Sequence, residues 1–501
     1  MAIYNEEAGA MRRPMDWLPW LLGLGLVGGA DYFLWQIGSG LAWAAMFTLL
    51  VLAVWLRSAQ QRIVGWRDVS VAILTLVPLV DHPTLLSIGL ALAGIGFLAL
   101  LRSRALPPRC SAILSDVLRD LVSGPVRLAG DLRRVAPRLP QGSAGRFLLG
   151  WGIPLALGAV FAALFVEANP ILGHWIVALE HWGLSIRVDF WRMAFWAAVL
   201  AGIWGFLSPR YRVPGPILAD IPTKLPHRLD RLLPAPVLLR GLVLFNAIFL
   251  VQTGLDLAFL WGGLRLPEGM SYAEYAHRGA YPLIAAALLA GGITLAATRE
   301  GGAGAGSATI RWLSYVWTGQ TVWLVISSAL RLSLYVETYG LSLWRVAAFV
   351  WMGLVAMGLV LIVARLALGR STAWLIDAVI LSTLLTLLAS QLTDIRAMIA
   401  RHNLAISREM GGTGQPLDLG YLCGLGPAAL PVLQQAAERL PDGRIHCAVM
   451  LETRFRQEMQ TWPGHTLRNR RILAALAPPT PLPLDLSYRD LDNRAQEEPW
   501  P

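Results

Sequence analysis

Residues 342–394 read SLWRVAAFVWMGLVAMGLVLIVARLALGRSTAWLIDAVILSTLLTLLASQLTD. Two apolar runs, 342–364 and 372–394, are separated only by a short connection that holds Arg365 and Arg370. A helix needs about 20 apolar residues to cross the hydrocarbon core of a bilayer. Each run reaches that length, so the pair predicts two transmembrane helices joined by a basic loop. Working outward, similar runs lie near 16–36, 40–56, 69–81, 84–102, 146–166, 188–208, 238–261, 280–298 and 310–336. The expected fold is therefore all-α: a polytopic transmembrane helix bundle of about eleven spans. The pair 69–81 and 84–102 is short and broken by Asp81-His82-Pro83. Read as a re-entrant hairpin, it reduces the count to about nine. The stretch 171–182 is too short to span and is placed at the surface.

Composition agrees. The chain has 501 residues, 55% of them hydrophobic and 15% charged, where a soluble domain carries about a quarter charged. Mean hydropathy is +0.54. The 21 tryptophans suit a protein with two membrane–water interfaces. A net charge of +10 raises the question of nucleic acid, but the basic residues sit in short loops between apolar runs. There they orient helices. Lys224 is the sole lysine, so the excess is arginine.

With the polar start Met1–Met15 placed inside, as Arg12 and Arg13 suggest, the inner loops carry most of the arginines. They include Arg57, Arg62, Arg67, Arg102, Arg104, Arg109, Arg133, Arg134, Arg138, Arg210, Arg299, Arg365 and Arg370. The outer loops hold little more than Arg187, Arg265 and Arg278. This asymmetry is what the positive-inside rule requires. It places the N-terminus in the cytoplasm and, with an odd number of spans, the C-terminal tail outside. The first apolar run leads straight into the second and reads as an uncleaved span.

The chain divides accordingly. Residues 1–15 form a cytoplasmic start, 16–102 a first set of transmembrane helices, and 103–145 a basic inner loop. Residues 146–395 form the transmembrane core, 396–477 a small helical extracytoplasmic tail, and 478–501 a Pro-rich, disordered end. In 103–145, Ile113, Leu114, Val117, Leu118 and Leu121 recur at helical spacing, flanked by Arg119, Arg127, Arg133 and Arg134. An amphipathic helix on anionic inner-leaflet lipid is expected, with protein docking as the alternative. Pro427–Leu440 and 446–476 predict tail helices. Cys110 is placed in the reducing compartment; Cys423 and Cys447 share the tail and are candidates for a disulfide.

Ionisable groups inside spans are costly, and by default they are functional hypotheses. Asp31, Asp256, Arg331 and Asp377 are the clearest cases. Counting helical rise, Asp31, Asp256 and Arg331 lie about 24–30 Å from the inner side, whereas Asp377 lies near it. Glu274, His277 and Arg278, with Glu268, Tyr272 and Tyr275, occupy an outer loop, and Glu337 follows Arg331. An outward polar cluster of Asp31, Asp256, Glu274, His277, Arg278, Arg331 and Glu337 is expected. Structural ion pairs with an aromatic belt are the competing explanation.

Three stretches carry a family resemblance. They are RGLVLFNAIFLVQTGLDLAFLWGGLRLPEGMSYAEYAHRGAYPLIAAALLA at 240–290, SSALRLSLYVETYGLSLWRVAAFVWMGLVAMGLVLI at 327–362 and LDLGYLCGLGPAALPVL at 417–433. The region 240–433 resembles a bacterial multi-pass inner-membrane family known only as a domain of unknown function, of the 4173/4153 type. The resemblance implies a bacterial cytoplasmic membrane protein and no activity.

Catalytic and cofactor motifs are missing from the sequence. There is no Walker loop and no CxxC or HExxH spacing. Gly301–Gly306 follows no strand, so it is no dinucleotide fingerprint. His174 and His181 with Glu167 and Glu180 are read as interfacial residues rather than a metal site. Neither metal nor cofactor is expected. The leading expectation is a transporter-like, solute-handling protein with an outward site. One alternative is a membrane enzyme acting on a lipid-linked or envelope substrate, with Glu274, His277 or Glu337 as acid or base. The other is a sensor or scaffold whose tail binds an envelope or membrane protein partner.

Overall fold

A computed structural model describes residues 17–58, 63–103, 109–135, 190–208, 234–261, 286–298, 306–439 and 446–478. The regular structure there is helical, with no strand among the described residues. The bundle helices are α1 (Leu18–Ala30), α2 (Leu41–Ser58), α3 (Trp66–Asp81), α4 (Leu85–Ser103), α5 (Cys110–Val135) and α6 (Phe190–Leu207). They continue with α7 (Ala235–Leu255), α8 (Ala286–Ala297), α9 (Ala308–Tyr339), α10 (Leu343–Ala367) and α11 (Thr372–Leu392). The tail holds α12 (Ile395–Ile406), α13 (Leu419–Gly424), α14 (Leu430–Ala437), α15 (His446–Glu458) and α16 (Leu467–Ala475). The expected span 146–166 and the surface stretch 171–182 lie outside the described residues.

Among the described residues, six helical segments are long and apolar enough to cross a membrane: Leu18–Ile37, Leu41–Ser58, Leu85–Arg102, Ala235–Ala258, Leu343–Ala367 and Thr372–Leu392. The protein is a polytopic helix bundle. Helix α3 is shorter, and it is tied at one end to its hairpin partner and at the other to the tail. Asp68 near its start pairs with Arg102 at the end of α4, and Asp81 at its end pairs with Arg468 of the tail.

Among the described residues the bundle packs around three apolar clusters, one in its first half and two in its second. Leu26, Phe47, Leu50, Val54, Leu79, Ile95, Leu98 and Leu207 close the first, made by α1–α4 and α6. The second half, α7–α11, packs around Leu242, Ala290, Trp317, Val325, Met352, Leu359 and Leu375. Helix α11 is the seam: it packs on α10 on one side and on α3, α4 and α5 on the other. The tail has its own apolar centre, with Ile399, Leu422, Leu433 and Phe455 almost fully buried. Cys423 and Cys447 are joined there as a disulfide. The stretch 446–476 forms two helices rather than one, because Trp462-Pro463-Gly464 makes a tight turn between α15 and α16.

Candidate functional site

The tail sits on one pole. Gly40, in the α1–α2 loop at φ +51°, touches the Pro463 carbonyl so closely that an added Cβ would lie 1.8 Å from its oxygen. Only glycine fits both that φ and that approach. Asn403 of α12 brackets the α9–α10 loop, accepting from Leu341 N at 2.6 Å and donating to Leu341 O at 2.9 Å.

The densest polar contact lies where the tail meets the seam. Arg468 donates twice to Asp81 Oδ2, at 3.1 and 2.6 Å, and once to the Gln391 carbonyl at 2.8 Å. Asp394 lies 3.9 Å away, and Arg471 is 3.4 Å from Asp81 Oδ1. Gln391 in turn donates to the His82 carbonyl, and Thr84 donates to Gln391 Oε1, both at 2.8 Å. One tail arginine thus joins the α3–α4 loop of the first half to α11 of the second. Burial holds the His82 imidazole below its usual range, and Arg468 and Arg396 push the same way; Asp81 and Asp394 oppose them.

Two carboxylates lie deeper on the same side. Asp31 accepts from Arg192 Nε and Nη2 at 2.6 and 2.5 Å, from Trp196 Nε1 at 2.9 Å and from Gln36 at 3.1 Å. Asp256 accepts from Arg331 Nη2 and, at 2.9 Å, from Gln252. Each aspartate is the first residue of a π-helical segment, Asp31–Ile37 or Asp256–Trp261, in which a widened turn ends a long helix. Asp256 is fully buried and Arg331 is 3% exposed. A carboxylate at that depth must be paired to remain charged. The expected cluster is thus divided: Asp31 belongs to an arginine of the first half and Asp256 to one of the second. Asp377 does something else, accepting from Ser111 N at 2.8 Å at the start of α5. Glu274, His277 and Arg278 lie outside the described residues.

Glu337 is exposed and lines a cavity of about 350 Å³ between α9, α10 and α12. Its walls are mostly apolar, formed by Val336, Val346, Phe349, Val350 and Met398. His402 lines it too, and its Nε2 is buried without a hydrogen-bond partner. Beside the cavity, Arg345 donates to the Tyr339 carbonyl at 2.8 Å and stacks over Tyr335. His402 was not singled out by sequence, because a histidine on a tail helix carries no depth or spacing signal. Among the described residues, no group of three or more metal-ligating side chains is gathered.

Fold and site define a multi-pass helical membrane protein whose tail caps one pole. The chain belongs to the family described as Domain of unknown function (DUF4153), whose model matches residues 20–436. Searches of curated proteins and of solved structures find no match.

Proposed function

We propose that the protein handles a single-chain amphiphile in the groove between α9, α10 and α12. The observation that carries this reading is a cavity of about 350 Å³ with mostly apolar walls and with Glu337 and His402 as its polar lining residues. Binding sites commonly combine apolar walls with a few placed polar groups. The apolar part of the ligand packs against Val346, Phe349 and Val350, and its head meets Glu337 and His402. The two halves, joined through α11, support a transporter-like use of that site, since carriers work by moving one bundle against another.

The same reading places the chain in a bacterial inner membrane with its N-terminus in the cytoplasm and its tail outside. The arginine-rich loops support that orientation, and so does a disulfide in the tail, since such bonds persist in oxidising compartments.

The test uses the purified full chain and an alkylamine with a fluorophore at the far end of its chain, beside the matching carboxylate. Val350→Trp fills the groove and abolishes binding of both probes. Glu337→Gln weakens the amine about threefold to tenfold and spares the carboxylate. Unchanged affinities in both variants would remove the groove as the site. The enzyme alternative uses the same acid and imidazole; it predicts that bound amphiphile is recovered chemically altered, as mass spectrometry would detect.

A further inference from the structure

Helix α5 is amphipathic in the opposite sense from a helix on a water-facing surface. Between its ends, its charges turn toward the protein. Asp116 is 4% exposed. Arg127 pairs with Asp120 and also donates to the Gly205 and Ser208 carbonyls at 3.3 Å. Asp131 accepts from Trp204 Nε1 at 3.0 Å. The outer face is aliphatic: Leu118 is 45% exposed, Val122 74%, Val126 75% and Leu132 51%. Leu118, Val122 and Val126 follow one another at i, i+4 and i+8, a single line along the helix. Pro125 and Ala129 are exposed beside it.

This face shares only Leu118 with the one expected on lipid. Val117 of that expected set packs inward, where a Cβ on Gly96 would touch it at 2.7 Å, and Leu121 joins the first core.

Depth says what covers the outer face. Gly96 lies about 10 Å before the end of α4, and Gly124 meets the Ala201 carbonyl about 9 Å before the end of α6. Helix α5 therefore crosses the bundle about 10 Å in from the helix ends, at the pole opposite the tail. In-plane helices bury their apolar face about 5–10 Å into the headgroup–acyl boundary, which matches that depth. Exposed arginines flank the aliphatic line, Arg109 before it and Arg133 and Arg134 after it.

We propose that α5 is an in-plane membrane anchor: its outer aliphatic face is seated among acyl chains, and its terminal arginines engage anionic lipid headgroups. The anchor stands whether or not the groove binds an amphiphile.

The test is nitroxide labelling of the full chain in phosphatidylcholine–phosphatidylglycerol nanodiscs, on a Cys110→Ser background that removes the free thiol. Labels go at Val122→Cys, Val126→Cys and Arg134→Cys, all exposed positions where folding is not at stake. Labels at 122 and 126 should collide freely with oxygen and be shielded from a water-soluble nickel chelate. The label at 134 should show the reverse. Nickel access at 122 equal to that at 134 overturns the proposal, and so does a label at 122 closed to both reagents, which would mean a protein cover. Arg133→Gln with Arg134→Gln should lower co-purifying phosphatidylglycerol by about half; unchanged retention overturns the headgroup contact.

Discussion

Arg331 and Asp256 carry opposite charges in a place that tolerates neither alone. Removing one partner leaves an uncompensated buried charge, which costs about 3–5 kcal/mol. Arg331→Met should therefore lower the thermal midpoint sharply, and Asp256→Leu in the same chain should restore much of it. Equal, additive losses in a thermal-shift series would deny the pairing. Arg468→Gln tests the tail contact in the same way. It strips Asp81 of two bonds, so limited proteolysis should release the tail while the bundle stays intact. His82 adds a pH dependence to that contact. Burial and the tail arginines hold its imidazole below the usual value of 6.5 when the tail is docked, so the undocked state binds the proton more readily. Docking is thus at full strength above about 6.5 and weakens as pH falls through the window between that value and the lower docked one. Tail proteolysis should be faster at pH 5 than at pH 7.5, and His82→Gln should flatten the difference. Depth alone singled out Asp31, Asp256 and Arg331 in the sequence. Their partners were less legible. Arg192 looks like any interfacial arginine, and Arg468 is 387 residues from Asp81, a separation no local pattern bridges.

Helices α1–α4, α6, α7 and α9–α11 fall within a few residues of the apolar runs that predict them, because span length is set by the bilayer rather than by tertiary detail. Periodicity is less informative about which way a face points. Helix α5 has apolar residues on two sides, and only packing decides that Val117 faces inward and Val122 outward. The π-helical segments after α1 and α7 had no sequence signal beyond an aspartate inside an apolar run. The crossing of α5 and α6 depends on glycine. A Cβ on Gly205 would lie 1.9 Å from the Asp120 carbonyl oxygen, and one on Gly124 would lie 2.2 Å from the Ala201 oxygen. The obstacles are backbone atoms, which cannot rotate away. Gly205→Ala should therefore destabilise by about 1–3 kcal/mol, read as a lowered thermal midpoint. An unchanged midpoint would mean that the two helices do not approach this closely.

At the scale of the whole molecule, the protein is two helical half-bundles joined through α11 and pinned at both ends of that seam. Asp377 bonds Ser111 at one end, and Arg468 bonds Asp81 and Gln391 at the other. The seam sets the poles: α5 and its arginines at one, the tail and its disulfide at the other. Arginine placement in the sequence predicts a polarity, whereas the division into halves depends on which helices pack together. The account stands on those two poles facing opposite compartments. The direct measurement is labelling of Cys110, exposed at the start of α5, with a membrane-impermeant maleimide in sealed right-side-out and inverted vesicles. Proteolysis of a C-terminal epitope is followed in the same samples. The account predicts Cys110 labelling only in inverted vesicles and epitope cleavage only in right-side-out ones. Both reagents acting from the same side would contradict it.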